Sequence, residues 1–342
     1  TQGQALGVFM ESYEAISVAG SHGKTTTAAL LSFLLEKAGL SPTFAVGCGD
    51  IPSLSGPANL GRGKYFVAEA DEYATCPQID NTPKFFWQNP KVAVVTNIDW
   101  DHPDVFKNLT AVGEAFFQFM KKIPKDGFLV LCLDDPNIES FLPKLSSPYF
   151  TYGFHPASDW RVTKVSFQEG QIRFWLEHQK VNLGQFSLGL AGKHNVLNAV
   201  AAIAVAVNLG ISLEKIRQVL PDFTGTKRRF EFIGQADGIK LYDDYAHHPT
   251  EIAATLRAAR QWFGKKRIIC LFQPHTYSRT KALFNNFLTC FSEADEVIIT
   301  EIYASAREKK DPTVSVEQLV NGIRKYTPNV FCLDSCQKIG QF

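Results

Sequence analysis

Short apolar runs that end in polar residues recur along the first half of the chain, at 15–18, 64–68 and 92–98. Nearly unbroken runs of this length are typical of parallel strands that are buried on both faces. Apolar residues recur at helical spacing in 25–38, between the first two runs, and in 109–123, after the third run. This alternation predicts an α/β fold with a mostly parallel sheet.

A different pattern occupies residues 148–190, where apolar and polar residues alternate on either side of Glu169-Gly170. Such alternation predicts an antiparallel hairpin or small sheet that is appended to the parallel sheet. The other elements predicted before residue 226 are a turn-rich loop, a strand and two helices, at 47–63, 128–133, 195–209 and 213–220. The first of these two helices is apolar nearly all round, which predicts that it is buried.

Strand and helix patterns start again after a polar segment at 224–229. They predict strands at 240–243, 267–272, 297–302 and 330–333, and helices at 250–263, 280–293 and 316–326. This second series predicts a smaller, Rossmann-like α/β domain of the doubly wound type. We therefore divide the chain into a linker or truncated remnant, a first domain and a second domain with an incomplete sheet, at 1–14, 15–226 and 227–342.

Composition and charge exclude several classes of function. The chain has 342 residues and a formal net charge of +1, so we expect no general attraction to nucleic acid or to anionic membranes. No apolar run approaches the ~20 residues that cross a bilayer, and the first residues lack a signal-peptide pattern. Seven scattered cysteines favour reduced thiols in a cytoplasmic protein, with a zinc site at Cys332 and Cys336 as the alternative.

A glycine-rich segment joins the first apolar run to the first helix, and residues 19–27 read Ala-Gly-Ser-His-Gly-Lys-Thr-Thr-Thr. Gly20 and Gly23 allow backbone N–H groups to approach phosphate oxygens, and the helix N-terminus adds partial positive charge. Lys24 could reach a phosphate, and the Thr25 hydroxyl could bind Mg²⁺. The spacing is shorter than the usual phosphate-loop pattern, so the alternative is a tight turn with a solvated lysine. We favour a P-loop-type nucleotide site.

Acidic residues follow the next two apolar runs. The run at 64–68 is followed by three carboxylates, and the run at 92–98 by a polar segment that contains His102. The three carboxylates are Glu69, Asp71 and Glu72. Thr25 and Glu69 together offer the oxygen ligands that Mg²⁺ prefers, and His102 is a candidate ligand or orienting group. The alternative for the carboxylates is a solvated acidic loop.

Three predicted strand ends in the second domain also carry polar residues, at 242–249, 273–280 and 303–308. Consecutive strands would bring their Asp, His and Arg residues to one edge of a sheet. Arginine is suited to bidentate binding of carboxylate or phosphate. Arg228 and Arg229, at the predicted domain boundary, could reach a phosphate or could belong to a basic linker. With the glycine-rich loop, these features favour phosphoryl transfer to a substrate.

Many motifs occur in one order over most of the chain. They are Gly20–Thr27, Glu69–Glu72, Thr96–Asp99, Asp101–Asp104, Gly192–Asn195 with Asn198, Gly225–Phe230, Asp243–Glu251 and Phe272–His275. In this order they resemble the Mur ligases, which build peptidoglycan precursors. The resemblance implies a central ATP-binding domain followed by a C-terminal Mur ligase domain. Two features depart from the family: Ser21 replaces a usual threonine, and only about fifteen residues precede the loop where the family has a UDP-binding domain.

The resemblance also implies roles for individual residues. The ATP-binding residues it implies are Gly20, Ser21, His22, Gly23, Lys24, Thr25, Thr26, Asn195, Asn198, Arg228, Arg229, Asp243 and Asp244. The Mg²⁺ ligands it implies are Thr25, Glu69 and His102. The substrate-binding residues it implies are Tyr245, His247, His275 and Arg279. The catalytic residues it implies are Lys24, His102, Arg279, His275 and His247.

Within the family, the motifs are most similar to those of the branch that joins L-alanine to UDP-N-acetylmuramate. The resemblance implies that ATP phosphorylates the muramate carboxylate and that the amine of L-alanine then attacks the acyl phosphate. The alternatives are a ligase that recycles murein tripeptide and an ATP-binding fragment without catalytic activity. We expect the chain by itself to bind ATP but to turn over slowly, and its oligomeric state stays open.

Overall fold

In the computed structural model, the chain divides into two units, each of which contains its own parallel strands. The structure describes residues 1–77, 79–103, 105–304 and 308–333. The first unit comprises Thr1–Trp100 and Val105–Asp243, and the second comprises Asp101–Asp104 and Asp244–Phe342. This division differs from the predicted boundary between residues 226 and 227, which stays a prediction of domain organisation.

The first unit contains the larger sheet. Its described strands are β1 (Glu14–Ala19), β2 (Thr43–Ala45), β3 (Ala58–Asn59), β4 (Tyr65–Ala70), β5 (Ala74–Cys76), β6 (Asp80–Pro83), β7 (Val92–Val95), β8 (Phe128–Cys132), β9 (Tyr149–Gly153), β10 (Trp160–Gln168), β11 (Gln171–His178), β12 (Val181–Leu188), β13 (Glu231–Ala236) and β14 (Ile239–Asp243). Ten of these described strands form one sheet in the order β12-β11-β10-β9-β8-β7-β1-β4-β2-β3. Strands β5 and β6 form a separate pair, as do β13 and β14.

Helices cover this sheet. They are α1 (Gln2–Met10), α2 (Lys24–Lys37), α3 (Leu109–Met120), α4 (Pro136–Glu139), α5 (Lys193–Asn208) and α6 (Leu213–Val219), with 3₁₀ turns at Lys84–Trp87, Leu142–Lys144 and Leu220–Asp222. Helices α2 and α5 pack against each other, and α5 is buried along most of its length, as its apolar pattern predicted. Helix α2 also contacts β1 and β4, and α5 contacts β8 and β9.

The central strands of the sheet are parallel and fully buried, in agreement with their apolar sequences. Strand β1 lies between β4 and β7 and pairs in parallel with both. At the other side of the sheet, β10, β11 and β12 pair antiparallel, and β10 turns into β11 at Glu169-Gly170. The antiparallel element predicted at 148–190 is therefore confirmed for 160–188, where it continues the main sheet. It is wrong for β9, which pairs in parallel with β8 and β10.

Residues 2–10 form a helix where a linker was predicted. Thr1 caps this helix, and its side chain and that of Gln4 form a reciprocal capping box. Gly7 lies so close to the 3₁₀ turn at 84–87 that an added Cβ would be 2.1 Å from the carbonyl oxygen of Trp87. Glycine is a poor helix former, so two glycines in nine residues weaken the helical pattern in the sequence. Gly7 is nevertheless required here, because the helix packs closely against the turn.

The second unit has α7 (Pro249–Phe263), β15 (Ile269–Phe272), α8 (Tyr277–Ala282), α9 (Phe284–Phe287), β16 (Glu296–Ile299), α10 (Val316–Ile323) and β17 (Val330–Cys332) among its described residues. Strands β15, β16 and β17 are parallel and lie in that order, which confirms the predicted alternation of strands and helices. The single helix predicted at 280–293 is wrong. Two short helices stand there, in a segment with the weak helix formers Asn285 and Asn286.

The strand predicted at 240–243 does not belong to this parallel sheet. It is β14, which pairs antiparallel with β13 and lies in the first unit. Asp237 and Gly238 join the two strands with φ of 49° and 81°. An Asp-Gly pair with positive φ is a strong local hairpin signal, and the sequence interpretation overlooked it.

No helix among the described residues has the length and apolar character needed to cross a membrane. The six described cysteines are free thiols. Cys336, and with it the alternative zinc site, lies outside the described residues.

Candidate active site

The loop at residues 20–23 joins β1 to α2, which confirms the predicted order of strand, glycine-rich turn and helix. Gly20 and Gly23 have φ of 133° and 83°, and Gly23 is the N-cap of α2. An added Cβ would lie 1.9 Å from the Thr96 hydroxyl at Gly20 and 2.5 Å from the Asn198 amide oxygen at Gly23. Both positions therefore require glycine, for conformation and for space.

The segment that follows β7, residues 96–99, holds this loop. The Asn97 side chain accepts the N–H of His22 at 2.8 Å and donates to its carbonyl at 2.9 Å. The hydroxyl of Ser21 donates to the carbonyl of Asp99 at 3.0 Å and accepts the N–H of Asp99 at 2.8 Å. The Asp99 carboxylate also contacts His22 Nε2 at 3.2 Å. These bonds fix the path of the loop.

Lys24 is a buried, paired lysine, so the alternative of a solvated lysine is wrong. Its ammonium donates to the carbonyls of Gly20 and Ser21 at 2.5 and 3.3 Å, and to Glu72 Oε2 at 2.8 Å. The side chains of Lys24 and Glu72 are 12% and 2% exposed. Burial lowers the pKa of Lys24, but the negative charges of Glu72 and Asp71 outweigh burial and raise the pKa above its usual value. The lysine therefore carries its charge inside the loop.

Glu69 lies at the end of β4, one strand away from the loop. Its carboxylate accepts the N–H of Gly47 at 2.8 Å, and the nearby Thr25 side chain acts to lower its pKa. Burial and the nearby Asp71 raise its pKa to about 7, although Lys24 and the Gly47 hydrogen bond also act in the opposite direction. Glu69 is 9% exposed, so the alternative of a solvated acidic loop is wrong for this residue.

The pair of Thr25 and Glu69 fits a Mg²⁺ site. Its hydroxyl and carboxylate oxygens are hard donors, and Mg²⁺ in nucleotide sites uses one or two such protein groups together with phosphate oxygens and water. A nearby cation would favour the charged form of this buried carboxylate. His102, the third predicted ligand, lies in the second unit, and its role as a ligand stays a prediction.

Asn195 and Asn198 lie on the first turns of α5 and are both buried. Asn195 donates to the carbonyl of Ala191 at 2.7 Å, and Asn198 donates to the Asn195 amide oxygen at 3.0 Å. The close approach of Asn198 to Gly23 places this pair beside the phosphate loop. Contact of the pair with adenine stays a prediction. Thr26, another predicted nucleotide-binding residue, is buried in the first turn of α2.

The remaining predicted nucleotide residues lie further along the first unit or begin the second. Arg228 Nε donates to the Asp243 carboxylate at 3.1 Å, and both side chains are more than two-fifths exposed. Arg229 is half-buried. Asp244, which is assigned to the second unit, accepts the N–H of Ala246 at 2.7 Å. None of these contacts tests the predicted binding of nucleotide, which stays a prediction.

A second cluster of predicted residues occurs within the second unit, around Arg279. The Arg279 guanidinium donates through Nε to Asp101 Oδ1 at 3.1 Å, Nη2 lies 3.1 Å from the same oxygen, and the two side chains are 8% and 7% exposed. Nη1 lies 3.3 Å from His275 Nδ1. Because arginine can only donate, His275 Nδ1 accepts, and the proton of a neutral ring is then on Nε2. The His275 ring stacks on Tyr303 with centroids 5.4 Å apart.

The strand ends explain part of this cluster. His275 and Tyr303 form an isolated parallel bridge, so the ends of β15 and β16 meet as predicted. The third predicted contributor, β14, does not lie in that sheet, and the prediction of three adjacent strand ends is wrong in this respect. Arg307, at the third predicted strand end, lies outside the described residues.

His247 and Tyr245 lie on the segment that leads into α7. His247 Nδ1 is 2.9 Å from the Tyr245 carbonyl, and its ring centroid is 6.2 Å from that of His275. Its backbone N–H donates to Glu251 Oε2 at 3.2 Å. Tyr245 is 48% exposed. The structure thus brings His247 and His275 together, with an exposed tyrosine beside them.

Burial and charge set the protonation of this cluster. Burial lowers the pKa of both His247 and His275, and the Arg279 charge lowers both further, so neutral imidazoles are favoured. Burial alone would raise the pKa of Asp101, but the charges of His102 and Arg279 outweigh it and hold the pKa below its usual range. Neutral imidazoles can accept protons, and a charged arginine can bind a carboxylate.

Several residues of the two clusters were not predicted as site residues, namely Asn97, Asp99, Asp101, Glu72 and Glu251. Each occurs within or beside one of the motifs named above. Glu251 contacts His247 four positions away, but the partners of the other four are remote in the chain. Glu72 is the clearest case, because Lys24 precedes it by 48 positions. No local spacing signal predicts which of three neighbouring carboxylates would pair with the lysine.

A model of the Mur ligase middle domain matches residues 18–206, and a model described as the Mur ligase, glutamate ligase domain matches residues 228–341. The chain belongs to the Mur ligase family of enzymes. Both matches cover the clusters described above, and they agree with the family expected from the motifs.

Individual relatives support the same conclusion. The UDP-N-acetylmuramate–L-alanine ligase of Caldanaerobacter subterraneus subsp. tengcongensis is 43% identical over 339 residues, which are 98% of this chain and 71% of that protein. The crystal structure of UDP-N-acetylmuramate–alanine ligase from Thermotoga maritima is similar, with a TM-score of 0.78 and 26% identity over 99% of this chain and 70% of that one. A murein peptide ligase from Psychrobacter arcticus has a TM-score of 0.71 and 26% identity, over 99% and 73%.

Proposed function

We propose that the protein joins L-alanine to the carboxylate of UDP-N-acetylmuramate, with ATP converted to ADP and phosphate. The observation that carries this proposal is the buried, charged Lys24 in a glycine-rich loop beside the Thr25–Glu69 pair. The 43% identity to an L-alanine ligase supports the choice of substrates. In this proposal the protein acts in peptidoglycan precursor synthesis in the cytoplasm.

The first unit would bind ATP and place its γ-phosphate. Backbone N–H groups at the start of α2 and the Lys24 ammonium would stabilise negative charge on the phosphates. Mg²⁺, held by Thr25 and Glu69, would neutralise phosphate oxygens during transfer. The muramate carboxylate attacks the γ-phosphorus, the bond to the ADP oxygen breaks, and an acyl phosphate forms. The carboxylate oxygen thereby becomes the leaving oxygen of the second step.

The second unit would bind the amino acid. The Arg279 guanidinium, with Asp101 and His275 fixing its plane, would provide a charged partner for the L-alanine carboxylate. L-alanine enters as an ammonium and must lose a proton before its nitrogen attacks the acyl carbon. The neutral imidazole of His247 is suited to accept that proton at Nε2, because its Nδ1 donates to the Tyr245 carbonyl, whereas Nδ1 of His275 already accepts from Arg279. Phosphate then leaves with the former carboxylate oxygen, and an amide bond remains.

A second candidate function is the recycling of murein tripeptide, because a murein peptide ligase has a similar structure. A third is ATP binding without catalysis. The residues argue against the third, since Lys24, Thr25, Glu69 and Arg279 are all present and the first three lie in one cluster. The identity to L-alanine ligases favours the first over the second.

One experiment separates the three. The protein, expressed from its whole reading frame, is given ATP, Mg²⁺ and UDP-N-acetylmuramate with either L-alanine or murein tripeptide, and phosphate release is measured. We expect release that depends on L-alanine, and mass spectrometry should show UDP-N-acetylmuramoyl-L-alanine. A preference for tripeptide would favour recycling. Release at background with both would favour binding alone.

A further inference from the structure

We propose that Asp135 and Asn137 are positioning residues for nucleotide binding, which act on the phosphate loop through Ile98. This inference rests on the proposed function, because it assumes that residues 20–25 bind nucleotide phosphates. Both residues follow β8, at the start of α4, and lie in the first unit with the loop. They belong to none of the motifs through which the family resemblance was established.

The two side chains hold both backbone groups of Ile98. Asp135 Oδ2 accepts the Ile98 N–H at 3.0 Å, and the Asn137 amide donates to the Ile98 carbonyl at 2.9 Å. Ile98 is 2% exposed, so the folded state would be less stable if these backbone groups had no such partners. Hydrogen bonds to both its N–H and its carbonyl therefore fix the position of Ile98.

Asp135 is itself fixed by the helix that it begins. Its other oxygen, Oδ1, accepts the N–H groups of Asn137 and Ile138 at 2.8 and 3.0 Å and so caps α4. One carboxylate thus ties the start of α4 to the segment after β7. The preceding acid, Asp134, has a separate task, since its carboxylate accepts the N–H groups of Phe154 and His155.

Ile98 lies between two of the residues that bind the phosphate loop, and Thr96, which precedes them, also donates to the His22 carbonyl at 2.5 Å. Asn97 binds both backbone groups of His22, and Asp99 makes two hydrogen bonds to the Ser21 hydroxyl through its backbone. A shift of Ile98 would move both sets of donors and acceptors at once. Because phosphate binding depends on the directions of backbone N–H groups, misplaced loop conformers would bind weakly.

The experiment compares variants that keep or lose this clamp, defined as the contacts of Asp135 and Asn137 with Ile98. Asp135→Ser retains a hydroxyl that can cap α4 but is too short to hold Ile98 as well. Asn137→Ala removes the second contact and leaves the Asp135 cap. Ser212→Ala is the matched control, because it removes the N-cap of α6, where the Ser212 hydroxyl accepts the N–H of Lys215 at 3.2 Å.

The probe is MgATP, titrated calorimetrically into the 342-residue chain and each variant at a temperature where circular dichroism shows all of them folded. We expect Asp135→Ser and Asn137→Ala each to raise the Kd about tenfold, since about one loop in ten would stay in the binding conformation. Ser212→Ala should leave the Kd unchanged although it loses a cap. Asp135→Asn, which keeps one oxygen acceptor, should give a Kd between that of the unchanged chain and that of Asp135→Ser. In the ligase assay the KM for ATP should rise while the KM for L-alanine stays constant.

Three results would overturn the inference in distinguishable ways. If the unchanged chain binds MgATP and both clamp variants bind it within twofold, the positioning role is refuted and the proposed function stands. If the unchanged chain shows no MgATP binding, the nucleotide assignment fails, and the positioning role fails with it. Equal weakening by Ser212→Ala would also refute the role, because general loss of helix capping would then explain the effect.

Discussion

The buried pair of Lys24 and Glu72 allows a quantitative test of how the phosphate loop is stabilised. Lys24→Met removes the ammonium and keeps most of the side-chain volume, and Glu72→Gln removes the opposite charge. Because the two side chains are 12% and 2% exposed, each single substitution leaves one charge in a buried environment without its counter-charge. The double variant leaves neither charge.

The magnitude follows from the geometry of this pair. Breaking a buried ion pair from one side costs about 3 kcal/mol or more in the free energy of unfolding. Lys24 keeps two backbone carbonyl acceptors, at 2.5 and 3.3 Å, when Glu72 is neutral, so we expect a smaller cost of about 2 kcal/mol for Glu72→Gln. The double variant should lose about 2 kcal/mol less stability than the sum of the two single losses. This difference is within the range of coupling energies between contacting residues.

The assay is urea unfolding of all four proteins, followed by tryptophan fluorescence, with the slope against urea checked for constancy. MgATP binding is measured in parallel, and both Lys24 variants should lose it although their circular dichroism is unchanged. A coupling below about 0.5 kcal/mol would refute the reasoning, because the two charges would then contribute independently. Retained MgATP affinity in Lys24→Met would refute the assigned role of the lysine.

Three further predictions concern other parts of the chain. Gly7→Ala should destabilise the first unit by about 1–3 kcal/mol in urea unfolding and leave the Kd for MgATP unchanged, because the added methyl would meet the Trp87 carbonyl at 2.1 Å. Arg279→Lys should raise the KM for L-alanine at least tenfold and that for ATP little, since an ammonium cannot hold Asp101 and a ligand carboxylate with the same geometry; equal effects on both KM values would contradict the assignment. Glu69→Gln should raise the Mg²⁺ concentration needed for half-maximal nucleotide binding about tenfold, and an unchanged requirement would exclude Glu69 as a ligand.

The sequence predicted the parts of the fold that rest on local patterns. The apolar runs at 15–18, 64–68 and 92–98 became three adjacent parallel strands, and the order of strand, glycine-rich loop and helix placed Lys24 correctly. These predictions succeeded because an unbroken apolar run and a helix start are decided by neighbours in the chain.

Other features depend on contacts between remote residues or on signals that compete locally. The helix at 2–10 contains glycines that its packing requires, so its propensity is low. The strand at 240–243 looked like the start of a parallel sheet, whereas the turn at Asp237-Gly238 pairs it with its neighbour instead. Side-chain partners such as Glu72 for Lys24 were inaccessible for the same reason, because pairing across 48 positions leaves no trace in periodicity.

The second cluster shows the same limit. His247, His275 and Arg279 were all singled out from the sequence, and the structure brings them together within one unit. Asp101, the carboxylate that holds Arg279, was not assigned a role, because it is 178 positions away in the chain. The motifs therefore singled out three side chains that lie together in the fold, while the carboxylate that holds Arg279 is evident only from the structure.

The central claim is that a muramate acyl phosphate connects ATP cleavage to amide formation. The most direct measurement uses UDP-N-acetylmuramate with ¹⁸O in its carboxylate, together with ATP, Mg²⁺, L-alanine and the protein expressed from its whole reading frame. Mass spectrometry of the released phosphate should show one ¹⁸O atom for each amide bond formed. Product formation with unlabelled phosphate would contradict the account, because the carboxylate oxygen would then not have been the acceptor of the γ-phosphoryl group.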